Sequence, residues 1–101
     1  MDELKTRARA ERGALLLDRR LPGWHIRVSE PLSMQSMRNC VLAKLYDSFK
    51  EGAAALELDE TQTLLHGFRA DRTDGLTDMS GFTHYYTLLT KCWREEILKR
   101  M

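Results

Sequence analysis

The sequence has few of the features that mark secreted, membrane-bound or metal-binding proteins. Its 101 residues include two cysteines and two prolines, too few cysteines for a disulfide framework. No run approaches the ~18 apolar residues that a membrane-spanning helix needs, and the charged first residues lack the apolar stretch of a signal peptide. We therefore predict a soluble, cytoplasmic protein in which Cys40 and Cys92 are buried free thiols.

Neither sign of charge dominates. The sequence contains sixteen lysines and arginines and fifteen aspartates and glutamates, for a formal net charge of +1. This balance of charge argues against an acidic mimic of nucleic acid, which would need a strong negative surplus, and it gives no support to strong nonspecific nucleic-acid binding. With 43% hydrophobic and 31% charged residues, the composition is that of an ordinary globular protein. A chain of this length is typical of one domain, so we predict a single domain over residues 1–101.

The side chains that could bind metal or catalyse a reaction are widely spaced. No two cysteines or histidines stand at a zinc-site spacing such as C-x-x-C or H-x-x-x-H, and no glycine-rich loop for phosphate is present. Cys40 is followed by Val41 and Leu42, an apolar setting that raises the pKa of a thiol. We predict no metal, no cofactor and no enzymatic activity. An enzyme with a reactive Cys40 is the least favoured alternative.

The first predicted helix carries a basic side. Residues 3–20 contain no proline and several good helix formers, and Pro22-Gly23 ends the helix. Wound as a helix, the chain places Leu4, Ala8 and Leu15 on one side and most of its basic residues on another. Those basic residues are Lys5, Arg9, Arg12, Arg19 and Arg20. The basic side is predicted to be a surface that contacts a partner or solvent.

The next segments are predicted to be a connector and a second helix. Residues 24–28 alternate apolar and polar side chains, which indicates an extended connector, and Trp24 either fills the core or makes an exposed contact. The second helix is predicted to begin at Ser33 or Ser36, either of which is a suitable N-cap. Its apolar stripe consists of Met37, Val41, Leu45 and Phe49.

The C-terminal half is predicted to hold two more helices separated by a loop. Asp59 is a good N-cap for a short third helix that ends at Gly67. Residues 69–81 are polar and indicate a long surface loop. The last helix has the most regular apolar spacing, formed by Met79, Phe82, Tyr86, Leu89, Trp93 and Ile97. The fold class is therefore all-α, a compact bundle of three to four helices with one extended connector and one long polar loop. We expect the second and last helices to form its central pair.

Four stretches between residues 11 and 98 occur in a distinctive order. They are GALLLD at 13–18 leading to PGW at 22–24, NCVL at 39–42 followed by LY at 45–46, HGF at 66–68, and LT at 89–90 with WREEI at 93–97. Together they resemble a group of small uncharacterised proteins found in bacterial genomes, notably actinobacterial ones, and their phages. The resemblance implies a cytosolic phage or mobile-element accessory protein and supplies no catalytic residues.

The leading functional hypothesis is a small non-catalytic module that binds another protein. The resemblance implies inhibition of a host enzyme, such as a defence nuclease, as a natural form of that binding. The alternative is a nucleic-acid-binding protein that uses a basic helix face or the short third helix. The candidate partner-binding residues are Arg9, Arg12, Arg19, Arg20 and Trp24. The identity of the partner and the oligomeric state stay open.

Overall fold

The computed structural model of the protein describes residues 3–71 and 74–101. These residues form six helices and no β-strand, so the all-α prediction is confirmed. The helices are α1 (Glu3–Arg20), α2 (Trp24–Arg27), α3 (Val41–Tyr46), α4 (Phe49–Ala55), α5 (Glu60–Leu65) and α6 (Met79–Lys99). Of the predicted long loop, residues 72 and 73 lie outside the described part of the chain.

The two longest helices, α1 and α6, lie side by side and run in the same direction. Near the start of α1, Arg7 forms an ion pair with Glu95. Near the end of α1, the Asp18 carboxylate forms a 2.7 Å ion pair with Arg100, the residue that follows α6. Helix α6 packs chiefly against α1, and α3 packs chiefly against α4. The prediction that the second and last helices form the central pair is therefore wrong.

A tryptophan of α6 lies over a glycine of α1 at the centre of this pair. A Cβ atom on Gly13 would stand 2.8 Å from the Trp93 ring and would also collide with the His66 carbonyl oxygen. The Trp93 ring is fully buried and stacks on Phe68 with ring centroids 5.3 Å apart. It also meets the edge of Trp24 at 5.7 Å. This one indole therefore joins α1, α2, α6 and the segment after α5.

Residues 24–27 form a helical turn, so the prediction of an extended connector is wrong. The turn follows Gly23, whose φ of 82° is left-handed backbone that favours glycine. Trp24 and Val28 are buried whereas Ile26 is 79% exposed. A spacing of four between the buried residues is helical, and in a strand Ile26 would share their face. Five alternating residues fit either structure, and the packing of Trp24 selects the helix.

The single helix predicted from Ser33 or Ser36 to Phe49 is replaced by a turn-rich segment followed by α3 and α4. The Ser36 hydroxyl accepts hydrogen bonds from the backbone amides of Arg38 and Asn39 within a turn. The Met34 amide donates to Thr90 of α6. These bonds satisfy backbone groups that a helix would otherwise pair. Met37, predicted on the buried stripe, is 87% exposed.

The short third helix and the last helix are confirmed. The Asp59 carboxylate accepts a hydrogen bond from the Gln62 amide and so caps α5. At the other end Gly67 has a φ of 72°, and the Phe68 amide donates to the Thr63 carbonyl, the bond of a Schellman motif. In α6, Leu89 and Trp93 of the predicted stripe are fully buried, whereas Met79 is exposed.

The close approach of the His66 carbonyl oxygen and the Trp93 ring to Gly13 predicts that Gly13→Ala destabilises the protein, although alanine favours a helix by about 1 kcal/mol. The added methyl group has no room, and overpacking of this kind costs about 1–3 kcal/mol beyond the propensity gain. We expect the free energy of unfolding to fall in urea titrations followed by circular dichroism. Glu11→Ala, on the exposed side of the same helix, serves as the control and should change it little. Equal or greater stability of Gly13→Ala would contradict the close approach.

Candidate functional site

The basic side of α1 is largely engaged within the protein. Arg9 was predicted to be exposed, but it forms a 2.8 Å ion pair with Asp74, and the two side chains are only 6% and 1% exposed. The prediction of an exposed Arg9 is wrong because the helix is rotated so that Thr6, Arg9 and Gly13 face inward. Arg9 therefore ties the segment after α5 to α1 and is not available on the surface.

Two other predicted arginines hold the ends of short helices. Arg12 donates to the carbonyl of Leu65, the last residue of α5, at 2.9 Å. Arg20 donates to the carbonyl of Ala55, the last residue of α4, at 3.1 Å. Such carbonyls have no partner inside the helix, and a cation there also interacts favourably with the helix dipole. Arg19 is exposed and makes no contact of this kind with the described residues.

Trp24, the fifth predicted residue, fills the core and is not an exposed contact. Its indole N–H donates to the Asp18 carboxylate at 2.9 Å, and the Arg100 guanidinium lies 5.6 Å from the ring centroid. Arg100 binds both carboxylate oxygens of Asp18 and also the buried carboxylate of Glu96. Hydrogen bonds from Arg100 and Trp24 lower the pKa of Asp18. This network fastens the C-terminal end of α6 to α1 and α2.

The outward side of α1 carries an exposed row of apolar side chains. Leu4 is 80% exposed, Leu15 is 51% exposed and Ala8 is exposed between them. At 100° per residue these three side chains fall within about 40° of one another around the helix. We call this row, with its charged borders, the outer face. The sequence sets these residues apart from the basic side, but it does not reveal that they point to solvent.

The outer face has a different charge pattern on each border. Along one border lie Lys5, Arg12 and Arg19, all exposed and seven residues apart. We call these three residues the basic edge. Along the opposite border lie Glu11 and Asp18, with Arg7 one turn before Glu11. The outer face is therefore an apolar row with the basic edge on one side and a mostly acidic border on the other.

Two shallow depressions shape the outer face around Leu15. One has a volume of about 290 Å³ and is lined by Ala8, Glu11, Arg12 and Leu15. The other has a volume of about 380 Å³ and reaches from Glu11 and Leu15 to Lys99 of α6. Because both depressions share Glu11 and Leu15, the surface is indented on either side of Leu15. Side chains of a second molecule would find contact there on two sides.

Two further clefts lie away from the outer face. A cleft of about 430 Å³ lies between α4 and α5, and a smaller one of about 220 Å³ is bordered by Cys40, Met37 and Phe49, with no histidine in its lining. Both cysteines are free and buried, as predicted. Burial raises the pKa of the Cys40 thiol, the direction that opposes thiolate formation.

Within residues 3–71 and 74–101, no three His, Cys, Asp or Glu side chains are grouped so as to hold a metal ion. In the same part of the chain, no helix combines the length and the hydropathy required to cross a membrane. Comparison of the chain with protein-family models, curated proteins and solved structures finds no match.

The Asp18 network predicts a specific dependence of stability on pH. The folded-state pKa of Asp18 is lowered, so its contribution is present above the ordinary carboxyl pKa of about 3.9. That contribution is lost as pH falls through the lowered value. We expect Asp18→Asn to reduce the stability difference between pH 7 and pH 3 in urea titrations. Asp47→Asn, at an exposed position between α3 and α4, is the control. An unchanged acid dependence in Asp18→Asn would show that this network contributes nothing to it.

Proposed function

We propose that this protein is a small non-catalytic module that binds another protein through the outer face of α1. The observation that carries the proposal is the exposed row formed by Leu4, Ala8 and Leu15. The row extends about 16 Å along the helix, at 1.5 Å per residue. Single exposed apolar residues are common on protein surfaces, but an aligned row with a depression on either side of Leu15 offers a partner a continuous contact.

The energetics of the row favour association with a protein surface. Burial of apolar surface contributes roughly 25 cal/mol per Å², and central apolar contacts with a charged rim are typical of protein interfaces. The inward side of α1 is already packed against α6, so α1 is held in place before a partner arrives. A preorganised helix loses little conformational entropy on binding.

The resemblance to bacterial and phage proteins supports a finer proposal. In it, the partner is a host enzyme in the cytoplasm, such as a defence nuclease, which the module inhibits by covering part of its surface. Nucleic-acid binding is the second candidate, favoured by the exposed basic edge. It has less support, because a charged phosphate backbone would not bury the apolar side chains of Leu4, Ala8 and Leu15. Affinity for nucleic acid comes chiefly from several cations that contact phosphates.

Site-specific photo-crosslinking tests the proposed function. We expect p-benzoylphenylalanine in place of Ala8 to form a discrete protein adduct in cells of the source organism, because the row lies within the interface. The same probe in place of Thr61, which is exposed on α5, should not form that adduct. Leu15→Glu should abolish the adduct and Arg38→Glu, at an exposed position outside α1, should leave it.

Three results would contradict the proposal. They are no adduct from position 8, the same adduct from positions 8 and 61, and an adduct that survives Leu15→Glu. A nucleic-acid adduct from position 8 would favour the second candidate. Circular dichroism of each variant confirms that the fold is retained.

A further inference from the structure

We infer that the partner contributes an acidic amphipathic helix, which lies along the outer face of α1 with its carboxylates against the basic edge. The inference rests on the proposed function and names the chemistry of the partner. It has three bases. They are the spacing of the charges on the outer face, the ion pairs already formed at each border, and the like charges that would meet if two copies of this face packed together.

The spacing of the basic edge matches a helical partner. Lys5, Arg12 and Arg19 are seven residues apart, and each successive position shifts by only about 20° around the helix. The three charges therefore follow one border of the apolar row for its whole length. A second helix packed at a small angle also presents its border positions at intervals of seven residues, so charges on the two helices meet in register.

The two borders differ in how far their charges are already neutralised. On the acidic border Asp18 is bound by Arg100. Glu11 lines the same depression as Lys99 of α6. On the basic edge Arg12 donates to a neutral carbonyl, and Arg19 forms no ion pair with the described residues. Arg12 and Arg19 therefore form no ion pair with a carboxylate of the described residues, and their charges are complementary to carboxylates of a partner.

A second copy of this chain does not satisfy this surface. If two α1 helices packed antiparallel through their apolar rows, the basic edge of one copy would run along the basic edge of the other. Like charges placed opposite each other destabilise a helix pair. In a parallel arrangement the basic edge would meet the border whose Asp18 is already bound to Arg100. A different protein with acidic flanks avoids both conflicts.

Peptide binding tests the inference directly. The purified full chain is titrated against three fluorescent peptides of equal length. The first has a leucine and alanine row every three or four residues with glutamate along its flanks, the second has lysine in place of glutamate, and the third is a scrambled form of the first. Fluorescence anisotropy at low salt and at about 0.5 M salt, where the Debye length is only a few ångströms, measures each affinity.

We expect the glutamate peptide to bind, and the lysine and scrambled peptides to bind at least about tenfold more weakly. Arg12→Glu with Arg19→Glu should weaken binding of the glutamate peptide by about tenfold or more, and high salt should weaken it as well. Arg38→Glu with Lys50→Glu makes the same charge change outside α1 and should leave the affinity nearly unchanged. Arg19→Glu alone preserves the test if loss of the Arg12 contact impairs folding.

Several results would overturn the inference. They are equal binding of the lysine or scrambled peptide, absence of binding by the glutamate peptide at low salt, and self-association of the chain lost on Leu15→Glu. Tighter binding to duplex DNA, weakened by the same arginine substitutions, would also overturn it. A protein adduct from position 8 without binding of the glutamate peptide would leave the proposed function standing and refute only the acidic helix. If neither the protein adduct nor binding of the glutamate peptide is observed, the proposed function and the acidic helix are both refuted.

Discussion

The packing of the Trp93 indole against Gly13 is the contact on which the rest of the structure depends. Only a glycine allows the ring to lie this close to the backbone of α1, and the indole N–H is fixed by a 2.7 Å hydrogen bond to the Gly67 carbonyl. The contact sets the rotation of α1 about its own axis. With that rotation Arg9 turns inward to Asp74, and Leu15 turns outward. The proposed binding surface is thus a consequence of how the core is packed.

The features that the sequence predicts correctly are determined locally. The caps of α5 depend on hydrogen bonds that Asp59 and Gly67 make possible within a few residues, so residue type alone indicates them. The long apolar periodicity of α6 indicates a helix over many residues, and Leu89 and Trp93 are buried where that pattern places them. The burial of Cys40 follows in the same way from its apolar neighbours Val41 and Leu42.

The features that the sequence does not predict depend on distant partners. The segment before α3 is held in turns partly by a bond from Met34 to Thr90, and Arg9 is buried because Asp74 meets it. Acid-first spacing like that of Glu96 and Arg100 is typical of an exposed helix face, yet Glu96 is buried. Of the candidate site, the basic residues on α1 were visible in the sequence. Their pairing, and the outward direction of the apolar row, depend on the packing of α6.

The most direct test of the account is to measure which side of α1 is accessible. Leu15 and Leu17 stand two residues apart, and the structure exposes the first and fully buries the second. Each is replaced by cysteine in a background with alanine at both native cysteines, and maleimide labelling is followed under native conditions. The account predicts fast labelling of Leu15→Cys. Labelling of Leu17→Cys should be slower by roughly 10³-fold or more, because a thiol at the buried position 17 reacts only when the protein unfolds. Equal rates, or faster labelling at position 17, would contradict it.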